Sequence, residues 1–125
     1  MADNKTMWKG VDVEEYRYFT KNFEDVGSFT IRIPSGLEKT RIIAATRKSL
    51  DGYYKDESDS VDDEYVRMLV ALNMIITEHP AWWTAPENCP DEEFLWKLWR
   101  WSLDCEKEFA TKLKTVTKGK AVGKD

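Results

Sequence analysis

The sequence predicts a mainly α-helical single domain of about four helices with a small β element, a short N-terminal strand or hairpin. Apolar residues recur at helical spacing over 61–78 and again over 90–114. Capping signals precede further helical segments near Asp12 and Ser35. A strict apolar–polar alternation occurs at Phe29-Thr30-Ile31-Arg32-Ile33, the mark of a half-buried strand. With 125 residues, 42% hydrophobic and 34% charged, the chain has the composition of one soluble globular domain. Residues 1–114 read as that domain and 115–125 as a flexible basic tail.

The first element follows from Asp12-Val13-Glu14-Glu15, which has capping-box spacing, with Tyr16, Phe19 and Phe23 after it at helical intervals. A short helix over about 12–21 is expected. Gly27 breaks the pattern, the alternating strand follows, and Pro34 stops it. A lone strand leaves its backbone unpaired, so it needs a partner from residues 3–10, from elsewhere in the chain, or from a second subunit.

Ser35-Gly36-Leu37-Glu38 is a second capping box and opens a helix over about 36–50. Leu37, Thr40, Ile43, Ala44, Arg47 and Leu50 form its inner face imperfectly. Residues 51–64 then carry seven Asp or Glu against Lys55. No window there has the alternating oxygen ligands and central Gly of a calcium loop, so a solvated, mobile connection is expected.

The third helix, about 61–78, turns Val61, Tyr65, Met68, Leu69, Leu72, Ile75 and Ile76 inward, with Ala71 on its outward side. Acidic Asp62, Asp63 and Glu64 sit in its first turn, where the helix dipole favours negative charge. His79-Pro80 ends it. The Pro-rich PAWWTAPENCP segment follows, and Pro90 opens a fourth helix over about 90–114. On its wheel Leu95, Leu98, Trp99, Ser102, Phe109 and Leu113 face inward. Trp96 lies on one flank, and Phe94, Trp101 and Cys105 on the other. Glu106 is a misfit that projects into the apolar arc.

Several function classes lack support in the residues. Nineteen Lys and Arg against 23 Asp and Glu give a net charge of −4, which argues against nucleic acid as a partner. No run approaches 18 apolar residues and no secretory signal stands at the start, so neither a membrane partner nor export is expected. Cys89 and Cys105 read as reduced structural thiols. His79 is the one histidine, and no triad, phosphate loop or metal-ligand spacing surrounds it. No catalytic residue, cofactor or metal is expected.

The anomaly is aromatic: five of the six tryptophans fall between 82 and 101. One reading makes them core and boundary residues of a small domain. The other makes Trp82, Trp83, Trp96 and Trp101, with Phe94, an exposed patch for a protein partner. Periodicity alone leaves both open.

An apolar helix, then EHPAWW, a short loop, PDEEFLWKLW and a Glu-rich helix ending in Phe resembles the tail assembly chaperones of lambda-like long-tailed bacteriophages. The resemblance is carried by Pro80 with Trp82 and Trp83, by Asp91-Glu92-Glu93-Phe94-Leu95 with Leu98, and by Glu106-Lys107-Glu108-Phe109. The FTIRIPSG strand and turn suit it too, and the likeness spans about residues 28–110. It implies a protein of virion morphogenesis in the host cytoplasm that keeps the tape measure protein soluble and recruits tail tube protein subunits. It also implies self-association and a longer product made by ribosomal frameshifting, for which Gly119-Lys120 and Gly123-Lys124 offer candidate codons. Two other readings remain: a small phage or bacterial inhibitor or adaptor docking a host protein, and a structural tail or neck subunit.

Overall fold

The computed structural model describes residues 7–54 and 63–122, so most of the acidic 51–64 connection lies outside the described residues. The chain starts with a two-residue hairpin, β1 (Met7–Trp8) against β2 (Val11–Asp12), turned by Lys9 and Gly10 at positive φ. A 3-10 turn at Val13–Tyr16 follows, in which the Asp12 carboxylate accepts from the Glu14 N–H at 3.2 Å. The chain then extends into β3 (Tyr18–Phe23), which pairs antiparallel with β4 (Gly27–Arg32).

The helix expected over 12–21 is therefore a single 3-10 turn followed by a strand. Tyr, Phe, Thr, Lys, Asn and Phe read as well at period two as at 3.6, and their aromatic and β-branched members favour a pleated surface. Pairing with β4 settles the choice and supplies one partner of the alternating strand. The other partner is β5 (Ile76–Glu78), whose residues were expected to finish the third helix. Ile31 pairs with Ile76 and Thr30 with Glu78. The segment satisfies its backbone on β4 once Ile75 ends the helix.

Helix α1 (Gly36–Tyr54) begins at the predicted capping box. Ser35 Oγ accepts from the Glu38 N–H at 3.3 Å, and Glu38 Oε1 from the Ser35 N–H at 3.1 Å. Helix α2 (Asp63–Ile75) is central and buries Val66, Met68, Ala71, Leu72 and Ile75. Helix α3 (Glu92–Val122) starts two residues after Pro90, with the Asp91 carboxylate accepting from the Glu93 N–H at 3.0 Å. Its backbone stays helical through 115–122, where a tail was expected to begin.

The fold expectation of about four helices with a short strand is thus corrected. Among the described residues there are three α-helices, one three-stranded antiparallel sheet in the order β3-β4-β5, and the small β1–β2 hairpin. One face of the sheet (Phe23, Phe29, Ile31) packs on Met68, Leu72 and Ile75 of α2 and on Phe94, Leu95 and Leu98 of α3. No helix among the described residues is long and apolar enough to cross a membrane.

Candidate functional site

The Pro-rich segment is built into the core rather than laid over it. Pro80 accepts from the Trp83 N–H at 3.1 Å, closing a turn that aims Trp83 inward. Trp83 is only 4% exposed and meets Phe29 edge-on at 5.0 Å between ring centroids. Phe94 is buried between Phe23 (5.3 Å) and Phe29 (5.6 Å). Trp101 meets Phe23 edge-on at 5.5 Å and is half-buried. Trp96 is half-buried beside Tyr65 at 6.2 Å. The edge-to-face pairs among these, Trp83–Phe29, Phe94–Phe23 and Trp101–Phe23, are worth about 1 kcal/mol each beyond the area they bury.

Of the five residues proposed from sequence as a partner patch, Trp83 and Phe94 therefore belong to the interior. Trp96 and Trp101 lie at its margins. Trp82 is the exposed one, at 44%, and its indole N–H donates to the Val26 carbonyl at 2.8 Å. That bond fixes the ring over a cleft of about 200 Å³ lined by Asp25, Val26, Cys89, Pro90, Asp91 and Phe94. No broad tryptophan patch forms, because α3 rolls the flank carrying Phe94, Trp101 and Cys105 toward the sheet.

Exposed apolar side chains also lie elsewhere, on the face of α1 that sequence periodicity turned inward. Helix α1 buries Ile42 and Thr46 rather than the expected face, leaving Leu37 63% and Ile43 43% exposed. On α3, Leu103 is exposed as well. Two adjoining hollows of about 130 and 530 Å³ run between α1 and α3 and share Arg67, Trp99 and Leu103. Together they make one groove, with α1 and α3 as walls and α2 as floor. Ile33, Ile42, Ala71 and Ile75 line one half; Ile43, Leu50 and Leu103 line the other together with Thr46, Arg47, Asp63 and Glu64. Lys39 and Glu106 form an ion pair at one end, which accounts for the misfit carboxylate on α3. Near the middle, the Trp99 indole donates to Glu64 at 3.3 Å. The sequence carried only a weak signal for this, since α1 has large apolar side chains on more than one face: Ile42 is buried while Leu37 and Ile43 are exposed.

A charged cluster anchors the wall at the start of α1. Arg32 donates to Glu14 at 2.7 and 3.0 Å and to both Glu38 oxygens at 2.6 and 2.8 Å. Hydrogen bonds from Arg32 hold the Glu38 carboxyl at about 2 and draw the Glu14 carboxyl below its ordinary value. Glu14 and Glu38 in turn raise the Arg32 guanidinium further above its already high value. The cysteines are free thiols. Burial pushes Cys105 up to about 12, with Glu108 and Asp104 adding to the effect, so it is a poor nucleophile. Among the described residues no group of His, Cys, Asp and Glu is placed to hold a metal ion. No family model, curated protein or solved structure matches the chain.

Proposed function

We propose that this protein is a tail assembly chaperone of a long-tailed bacteriophage, acting without catalysis in the host cytoplasm. It shelters the apolar stripes of tape measure helices in the α1–α3 groove and helps recruit tail tube subunits. The observation that carries this reading is the groove itself: a trough between two helices with Ile43, Leu50 and Leu103 on its walls, Arg67 and Glu64 on its α2 floor, and Lys39, Arg47 and Glu106 at its rim. From Lys39 to Leu50 along α1 it spans about 16 Å, enough for three turns of an amphipathic helix. A soluble domain leaves such a surface uncovered where a partner is to fill it. The resemblance over 28–110 supports the same reading and supplies the identity of that partner.

The test is co-expression with a tape measure fragment, measuring the fraction of fragment that stays soluble. Ile43→Asp with Leu103→Asp changes two exposed side chains on opposite walls. This variant should lose solubilisation while keeping far-UV helicity and melting temperature. Trp82→Ala, outside the groove, should retain it. Equal solubilisation by the groove variant and the native protein would overturn the assignment. A slippery heptamer near codons 119–124, followed by an open frame, would add independent genetic support.

A further inference from the structure

The cleft under Trp82 shares no lining residue with the α1–α3 groove. Its indole is held by the bond to the Val26 carbonyl and by ring contacts with Phe29 (6.3 Å), Trp83 (5.7 Å) and Phe94 (6.5 Å). Even so, 44% of the residue stays in water. Two carboxylates from distant parts of the chain line the same cleft. Asp25 stands in the β3–β4 turn at φ 66°, a conformation that Asp and Asn tolerate better than other residues with a side chain. The Val26 N–H closes that turn by donating to the Phe23 carbonyl at 3.0 Å. Asp25 is exposed, and its carboxylate has no hydrogen-bond or ion-pair partner among the described residues. One Asp91 oxygen accepts from the Glu93 N–H at 3.0 Å, and the other is unengaged among the described residues.

We propose that this cleft docks an arginine side chain from an exposed basic segment of a partner protein. The guanidinium stacks on the Trp82 indole and donates its fork of N–H groups to Asp25 and Asp91. Val26, Pro90 and Phe94 supply apolar walls for the methylene stem. A volume of about 200 Å³ suits one side chain and falls below that of sites for whole cofactors. Charge complementarity sets the sign of the occupant. No basic residue lines the cleft, and none occurs in 22–28 or 80–96, the segments that build it. Those segments hold Glu24, Asp25, Glu87, Asp91, Glu92 and Glu93. The start of α3 adds about half a positive charge, which Asp91, Glu92 and Glu93 outweigh. An anion is thus repelled and a cation drawn in. The indole and Asp91 are held before binding, so little ordering is left for the complex to impose. The site is separate from the α1–α3 groove, and either can fail without the other.

The experiment is titration of the isotope-labelled full chain with an acetylated, amidated Gly-Arg-Gly-Arg-Gly peptide. Proton–nitrogen correlation spectra follow the Trp82 indole and the Val26 and Glu93 amides. A citrulline twin of the peptide keeps the shape without the charge, and a lysine twin keeps the charge without the planar fork. The arginine peptide should shift the Trp82 signal saturably and leave the Trp99 indole signal in place. The citrulline twin should give no saturable shift, and the lysine twin should bind at least about threefold more weakly. Trp82→Leu retains every carboxylate and should weaken binding at least about fivefold. Asp25→Asn/Asp91→Asn should do the same at low salt, while keeping residues suited to the positive-φ turn and to the helix cap. Thermal melts establish that both variants are folded. A Trp82 signal that does not respond would overturn the proposal. So would a Trp82→Leu variant that binds like the native chain, since only diffuse attraction to the acidic residues would then be left. Equal binding of the lysine twin would overturn the assignment to a guanidinium. A Trp82 signal that moves with protein concentration instead of with peptide would give the cleft to a second copy of the chain and overturn it too.

Discussion

Glu106 of α3 is ion-paired with Lys39 of α1 across one end of the groove, although both side chains are half-exposed. A pair in that position is screened by water and holds two flexible side chains, so its contribution to stability is small. Lys39→Ala, Glu106→Ala and the double variant should give a coupling energy below about 1 kcal/mol by urea denaturation. A coupling of several kcal/mol would show that the pair is desolvated and structural. The expected consequence is that the groove opens at that end without loss of fold.

The Arg32 cluster should set the acid limit of the fold. Glu38 is held at about 2, below its ordinary value of 4.5, and Glu14 is lowered as well. Groups depressed in the folded state contribute stability that is fully present above the unfolded value. That stability is lost as pH falls from about 4.5 toward 2. Arg32→Met should remove most of this acid dependence and cost about 2 kcal/mol at neutral pH, discounted for partial exposure. An unchanged slope of stability against pH between those values would contradict the assignment.

Gly27 ties the β3–β4 turn to the Pro80 turn. Its φ is +132°, and a Cβ there would collide with the Pro80 ring. Gly27→Ala should therefore cost about 2 kcal/mol or more, from backbone strain and overpacking together. Gly36 has nothing within 4 Å of a built Cβ, and it stands in the first turn of α1. Gly36→Ala should be neutral or slightly stabilising. Thermal melts of the two variants separate these outcomes directly.

Truncating the aromatic residues should divide them by burial rather than by position in sequence. Trp83→Ala and Phe94→Ala empty sites in the interior and should cost about 3–5 kcal/mol each. Trp82→Ala should cost far less, because nearly half of that side chain is already in water. Denaturant midpoints of the three variants check this. A Trp83 variant as stable as the Trp82 one would return both residues to the surface.

Legibility varied with how local each determinant was. The Ser35–Glu38 capping box, the start of α1 and the central role of α2 were readable, because their signals lie within a few residues of the structure they specify. The alternation at Phe29–Ile33 announced β4 for the same reason. Its partners were not readable: β3 carries helical spacing as well as alternation, and β5 continues the apolar pattern of α2. The face of α1 was misread because large apolar residues lie on both sides of it, with Ile42 buried and Leu37 and Ile43 exposed. Thr46, buried with Ile42, donates to the Ile42 carbonyl at 2.7 Å and so needs no partner across the interface.

By itself the sequence determined a small acidic domain rich in helix, a central apolar helix, and a concentration of tryptophan around one Pro-rich turn. Composition and short-range periodicity carry that much. The tertiary structure decided which tryptophans are interior, that the later parts of two expected helices are strands, and that a groove lies between α1 and α3. Those outcomes depend on residues far apart in the chain competing for one core. Trp83 is buried because Phe29 lies against it, and Trp82 stays exposed because Val26 accepts its N–H.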